Sequence, residues 1–224
     1  MKLYTHPIST TCRPIMMFAA EQGLPLEMQV VDLFTGEHTK APYGAINPNH
    51  LIPVLEDGDF QLTESSAIMK YLAEKAGSPL YPKDLQQRAR VNERMDWINT
   101  QLGREFCYGV VYPQIFPHHK RRSAEAQEAT LQWGKEHAQR WLKVLDENIL
   151  GPGNNYLCGD SLTIADFYGA AFLTLGEVVG CRFSDYPNVQ RWLGRMKALK
   201  SWKQVNETLD GVVAANKDKS FVSI

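Results

Sequence analysis

The 224-residue sequence has no uninterrupted apolar run near the ~18 residues a membrane-crossing helix needs. It has no excess of either charge: 24 Lys and Arg stand against 25 Asp and Glu, for a net charge of −1. Bulk attraction to nucleic acid or to an acidic membrane is therefore no basis for its function. There is no Cys-x-x-Cys pair. The four cysteines, Cys12, Cys107, Cys158 and Cys181, are scattered, so free thiols in a cytoplasmic protein are expected rather than a disulfide framework. No His-x-x-x-His spacing occurs, and His38 and His50 sit in polar loops on either side of Asn47-Pro48, which gives no reason to expect a metal. The first residues hold no apolar segment of the secretory type. No internal repeat and no low-complexity stretch interrupts the chain. What is abundant is apolar side chain, 44% of residues, ample for packed cores.

The texture divides the chain into 1–77, a connector at 78–86, and 87–224. The first part changes every ten or so residues. Lys2 to Thr5 reads as a strand, Pro14 to Gln22 as a buried helix stopped by Gly23, and Leu26 to Val31 as an alternating strand. A polar loop from Asp32 to Asn49 has room for a helical turn. Leu51 to Glu56 and Phe60 to Leu62 read as strands joined at Asp57-Gly58, a strong hairpin signal. Glu64 to Ala76 reads as a helix ended by Gly77 and Pro79. The order is βαβαββα, an α/β unit. Beyond Ser78-Pro79-Leu80-Tyr81-Pro82 strand signals almost vanish. Helical patterns cover Asp84 to about Tyr112, where Pro113 interrupts, then Ala124 to Leu150, Thr163 to about Val179, Pro187 to Lys197 and Trp202 to Ala215. The second part is all-α.

Three constellations carry candidate chemistry. In Ser9-Thr10-Thr11-Cys12-Arg13 a strand runs into a helix start, where unpaired N–H groups and the helix dipole favour an anion. A hydroxyl there serves as an N-cap, or it donates to a thiolate and lowers its pKa. Cys12 reads as a small buried side chain, with an acidified thiol as the rival reading. In Ile52-Pro53, a cis bond would turn the Ile52 N–H and C=O toward a ligand backbone, and a trans bond would mark a strand start. In Glu64-Ser65-Ser66, N–H groups at a helix start suit a carboxylate, while the Glu64 side chain suits an ammonium. The same three residues also read as ordinary decoration of a helix N-terminus. Downstream, Leu162-Thr163-Ile164-Ala165-Asp166-Phe167 spells a capping box with a hydrophobic staple, a structural signal without chemistry. His118 to Arg122 reads as a solvated basic loop.

Taken together, Ser9-x-x-Cys12-Arg13, Asn47-Pro48-x-x-x-Ile52-Pro53-Val54-Leu55, Glu64-Ser65-x-Ala67-Ile68-x-x-Tyr71-Leu72 and Thr163-x-x-Asp166 resemble the cytosolic glutathione transferases over essentially the whole chain. The first motif is similar to the serine-type branches, theta, delta and epsilon. The resemblance implies a thioredoxin-like N-terminal domain followed by an all-α helical C-terminal domain, and a homodimer engaged in detoxification. It implies that Ser9 activates the glutathione thiol, and that Ile52, before a cis Pro53, pairs with the cysteinyl backbone. Glu64 and Ser65, with Ser66 beside them, would hold the γ-glutamyl head, while His50 and His38 approach the glycyl end. Ser66 stands where delta-type members carry arginine, so this head-group site has one cation fewer. Arg13 precedes Pro14, a position that resists the α region, so the helix start is expected to be locally altered.

Glutathione would be co-substrate, with no metal or redox cofactor. The second substrate, a small hydrophobic electrophile, would face Tyr108, Tyr112 and Phe116, which recur every four residues, with Arg104 one turn earlier. Core packing is the competing account of those rings. A glutathione-dependent dehalogenase or isomerase would use the same site. An interaction module of the same fold, or an oxidoreductase working through Cys12, are the remaining readings.

Overall fold

The computed structural model describes all residues, 1–224. Four strands form one sheet in the order β2-β1-β3-β4: β1 (Lys2–Thr5), β2 (Glu27–Val30), β3 (Val54–Asp57) and β4 (Phe60–Leu62). β1 pairs parallel with β2 and antiparallel with β3, with Leu3 opposite Met28 on one side and Leu55 on the other. The Asp57-Gly58 hairpin forms, with Gly58 at φ 61° as that turn requires. Helices α1 (Arg13–Gln22) and α3 (Ser65–Lys75) flank the sheet's main core, and α2 (Ala41–Ile46) covers a smaller one of Tyr4, Val31, Tyr43 and Val54. This is the thioredoxin-like arrangement. The second part of the chain is helical: α4 (Leu85–Trp97), α5 (Tyr112–Ile115), α6 (Ala124–Val144), α7 (Ile164–Thr174), α8 (Pro187–Lys197) and α9 (Lys200–Asn216). No helix is long and apolar enough to cross a membrane.

Several boundaries differ from the sequence reading, each for a physical reason. β3 begins at Val54 rather than Leu51, because Pro53 has no N–H to give the ladder and the chain bends there. All four residues of β2 are exposed, as befits an edge strand with one neighbour. Leu85 and Gln86 belong to α4 and not to a connector, since Asp84 caps the helix by accepting from Gln87 N at 2.9 Å. Pro113 does not end the long helix. Helical backbone runs on from α4 through wide i→i+5 turns at Ile98–Leu102 and Arg104–Val111, which place Pro113 in the first turn of α5, where a missing N–H costs nothing. α1 already includes Arg13 despite Pro14, and the expected disturbance is absent: Cys12 N and Arg13 N both donate to Ser9 O, at 3.2 and 3.0 Å.

One hydrophobic core runs through both parts, from Leu3, Ile15 and Phe18 to Phe167 and Trp192. Every residue of α7 is buried, and α1 packs on it with the Phe18 and Phe167 rings 6.1 Å apart, edge to face. The start of α7 is set by Asp166, which is fully buried. Its carboxylate accepts from Thr163 N and Leu157 N at 2.8 Å, Trp192 Nε1 at 2.9 Å and Thr163 Oγ1 at 3.0 Å. Burial pushes that carboxyl up to about 6 against the pull of these donors.

The Arg104–Val111 segment and α6 cross backbone to backbone at Gly109 and Gly134. A Cβ on Gly134 would lie 2.4 Å from the Gly109 carbonyl carbon. Gly134→Ala is therefore expected to destabilise by about 1–3 kcal/mol through overpacking, although alanine is the better helix former. Gly211→Ala on α9, where an added Cβ meets nothing within 4 Å, is expected to stabilise by up to about 1 kcal/mol. Urea midpoints of the two variants, moving in opposite directions, check the crossing.

Candidate active site

The site is assembled where three segments meet at one end of the sheet: the turn between β1 and α1, the bend before β3, and the first turn of α3. The first turn is pinned by Ser9 N donating to His6 O at 2.9 Å. Ser9 is half-buried. Its Oγ accepts from Cys12 N at 3.3 Å and lies 3.2 Å from Thr11 Oγ1, so the hydroxyl sits at the positive end of α1. Cys12 is fully buried beneath it, and burial raises the pKa of its thiol, outweighing the polar groups of the turn. A buried thiol with a raised pKa is no nucleophile. All four cysteines are unpaired thiols.

Arg13 anchors this turn to the helical part. Its guanidinium is fully buried, donating through Nη1 to Asn206 Oδ1 at 2.7 Å and Thr174 Oγ1 at 3.2 Å, and through Nη2 to the Ala171 carbonyl. Desolvation draws it down to about 10, which leaves it charged at neutral pH. One residue before Thr11, Thr10 is buried and accepts from Tyr112 Oη at 3.1 Å.

The Ile52–Pro53 bond is cis. The Ile52 carbonyl accepts from Thr11 Oγ1 at 3.2 Å, and the Ile52 N–H has no acceptor in the protein. Tyr43 Oη and Asn47 Nδ2 hold the preceding carbonyl, Leu51 O, at 2.8 and 2.7 Å. This is a fixed strip of backbone with an open donor and an accessible acceptor, the pair an extended peptide requires.

At α3, Glu64 takes φ 64° and ψ 111°, a sparsely populated conformation for a residue with a Cβ. Its carboxylate has no ion-pair partner in the fold. The N–H groups of Ser65, Ser66 and Ala67 are unbonded, Ile68 N being the first to find a partner, Glu64 O at 2.9 Å. A carboxylate and a helix start with bare N–H groups thus sit side by side. The Ser65 hydroxyl is turned away, donating to Tyr168 Oη at 3.4 Å, so Ser65 offers only its backbone N–H. His50 and His38 are brought together, His50 Nδ1 lying 3.0 Å from His38 O, and the His50 ring stacks over Gly44, where a Cβ would be 2.8 Å away. The buried His38 Nδ1 has no partner. Burial lowers the His38 pKa, with His118 and then His50 adding like-charge repulsion.

Tyr108, Tyr112 and Phe116, the last just past the end of α5, form one aromatic face, and Tyr112 also packs against the main core. Tyr108 and Tyr112 meet edge to face at 4.8 Å, Tyr112 and Phe116 at 5.4 Å, and Tyr108 remains 53% exposed. Through Tyr112 and Thr10 this face abuts the turn carrying Ser9. Arg104 does not join it: its side chain is 76% exposed, with only its neighbour Glu105 near, at 3.9 Å. His119, which the composition of its loop assigns to solvent, does join, with its ring 5.1 Å from Tyr112 and 5.4 Å from Tyr108. Pro117, which opens the short 3-10 turn Pro117–His119, is the sequence signal for that turn. Thr10 and Thr11, as hydroxyl neighbours of Ser9, are a second signal, for the contacts of this turn.

Comparison with known proteins bears on this arrangement. Residues 8–75 match the family model described as glutathione S-transferase, N-terminal domain, and residues 106–200 match its C-terminal domain. The human glutathione S-transferase theta-1 is 33% identical over 201 residues, 88% of this chain and 82% of that protein. The structure of human glutathione-S-transferase T1-1 in its apo form aligns with a TM-score of 0.81 at 31% identity, covering 98% of this chain and 91% of that one. Human glutathione transferase theta-2, in complex with glutathione and an unknown ligand, aligns at 0.82 with 29% identity, over 100% and 93% of the two chains.

Proposed function

The chain belongs to the glutathione S-transferase family, and on that footing we propose that Ser9 activates the thiol of bound glutathione for attack on a small hydrophobic electrophile. The observation that carries this reading is the convergence of three features that fit three parts of one tripeptide. The unpaired N–H and the C=O of Ile52 suit the cysteinyl backbone. The bare N–H groups of Ser65, Ser66 and Ala67 beside the Glu64 carboxylate suit an α-carboxylate and its ammonium. His50 and His38, which the fold brings together, would meet the remaining, glycyl, carboxylate.

With the peptide so placed, the sulfur falls by the Ser9 hydroxyl at the positive end of α1. The hydroxyl donates to the sulfur anion and stabilises it, the dipole adds to the effect, and the thiol proton leaves to solvent. The thiolate then forms a bond to an electrophilic carbon: in a displacement the carbon–halogen pair leaves with the halide, and in an addition the π pair of the activated alkene moves onto its activating group and takes up a proton from solvent. Tyr108, Tyr112, Phe116 and His119 would form the wall against which the electrophile lies. No cofactor is required in this scheme. Activity as a homodimer, and a role in detoxification within the cytoplasm, complete the proposal.

Binding is tested by thermal shift. At tenfold excess over Kd, glutathione is expected to stabilise by about 1.4 kcal/mol, roughly 3–5 °C for a chain of this length. S-alkylated glutathione should do the same, and glycine and free cysteine should not. If glutathione leaves Tm unmoved, the tripeptide assignment fails. Turnover is tested with halogenated aromatics and activated alkenes.

A further inference from the structure

The protons of the Ser9 loop can be counted. Ile52 O can only accept, so the hydroxyl proton of Thr11, 3.2 Å away, points at it. Ser9 Oγ, 3.2 Å from Thr11 Oγ1, must then be the donor of that pair, while it accepts from Cys12 N. In the free protein the one proton of Ser9 is thus committed to Thr11, and the chain of donors runs Ser9 → Thr11 → Ile52 O, away from any sulfur. We propose that Thr11 is a positioning residue that reverses this chain when glutathione docks, an inference that rests on the glutathione reading above. The cysteinyl N–H of the ligand takes the Ile52 carbonyl. Thr11 then turns its proton to Ser9 Oγ, and Ser9 turns its own to the sulfur. Ser9 Oγ ends by accepting from Thr11 and from Cys12 N while donating to the thiolate, which polarises its O–H and makes it a stronger donor. Neither hydroxyl ionises; only the O–H directions change. Occupation of the peptide strip is in this way coupled to the acidity of the ligand's thiol, and the donor stays satisfied while the site is empty.

The test is a titration of the bound thiol, followed by its near-ultraviolet thiolate absorbance, in the parent, in Thr11→Val and in Thr11→Ser, with the pH profile of kcat/KM as a second readout. Thr11→Val is expected to raise the pKa of bound glutathione by about 0.5 unit, roughly threefold in the thiolate ratio. Thr11→Ser is expected to restore the parent value. Affinity for S-methylglutathione, which has no thiol to ionise, should stay within about twofold. Thr11→Ala serves in the same way if the valine variant does not fold. An unchanged or lowered pKa in Thr11→Val overturns the relay, as does a loss of S-methylglutathione affinity without a pKa shift, which marks a merely structural role. A parent that binds glutathione without acidifying it overturns the relay and Ser9 activation together. A parent that binds no glutathione at all sinks the tripeptide assignment and the relay with it.

Discussion

Ser9→Ala lowers kcat/KM roughly ten- to hundredfold and leaves the affinity for S-alkylated glutathione within about twofold: this is the result expected if the hydroxyl acts on the thiolate. A hydrogen bond to a charged acceptor is worth about 1.5–3 kcal/mol, and each ~1.36 kcal/mol is a factor of ten in rate. The same bond does little for the neutral thiol or for a thioether, so ground-state binding hardly changes. The substitution should not unfold the turn. Cys12 N loses Ser9 Oγ at 3.3 Å but keeps Ser9 O at 3.2 Å, and Arg13 still ties α1 to α7 and α9.

The pH dependence separates this account from a general loss of structure. Removing the donor raises the pKa of the bound thiol by about 1–2 units. The variant's profile therefore moves to higher pH, and the deficit shrinks as the solution is made alkaline, because both proteins then hold thiolate. A deficit that is constant across pH, or a variant as active as the parent, removes Ser9 from the mechanism. In that case the hydroxyl is no more than the group that answers Cys12 N at the helix start.

The parts of this site that are legible in the sequence are the local ones. A strand running into Ser9-Thr10-Thr11-Cys12, a proline after Ile52, and Glu64-Ser65 before an apolar helix each announce backbone geometry within a few residues. The structure has each of them in its expected place. Contacts between residues far apart in the chain leave no such mark. Arg13 reads as an ordinary helix residue, yet it is buried against Ala171, Thr174 and Asn206, more than 150 residues away. His119 belongs to a basic run whose composition speaks for solvent, and only the fold places its ring on Tyr112. Arg104 is the opposite case: one-turn spacing suggests a shared face with Tyr108, yet its side chain is 76% exposed with only Glu105 near, because nothing local in the sequence draws a charged side chain inward. Pro113 reads as a break because a wide turn that resets the hydrogen-bond register has no signature in composition.

Asp166 carries the largest effect expected on stability. It is fully buried and accepts four hydrogen bonds, from Thr163 N, Thr163 Oγ1, Leu157 N and Trp192 Nε1. Asp166→Ala removes every acceptor at once. Two of the stranded donors are backbone and one is an indole held in the core, so only the Thr163 hydroxyl can turn elsewhere. Each buried donor left unpaired costs about 1–3 kcal/mol, and with partial relaxation the loss is expected to reach about 3–5 kcal/mol, a large share of the ~5–15 kcal/mol that holds a typical domain. Asp166→Asn keeps an oxygen for Leu157 N and Trp192 Nε1 but turns an amide N–H₂ against Thr163 N–H, so it should recover only part of that loss. Urea unfolding orders parent, Asn and Ala in that sequence, and an alanine variant within about 1 kcal/mol of the parent would sink the account. The effect reaches the site as well, because the helix that Asp166 starts presents Tyr168 to Ser65, and Ala171 and Thr174 to Arg13. Loosening α7 releases both the first turn of α3 and the turn that carries Ser9. The alanine variant should therefore lose glutathione affinity before it unfolds, at urea concentrations where the parent still binds.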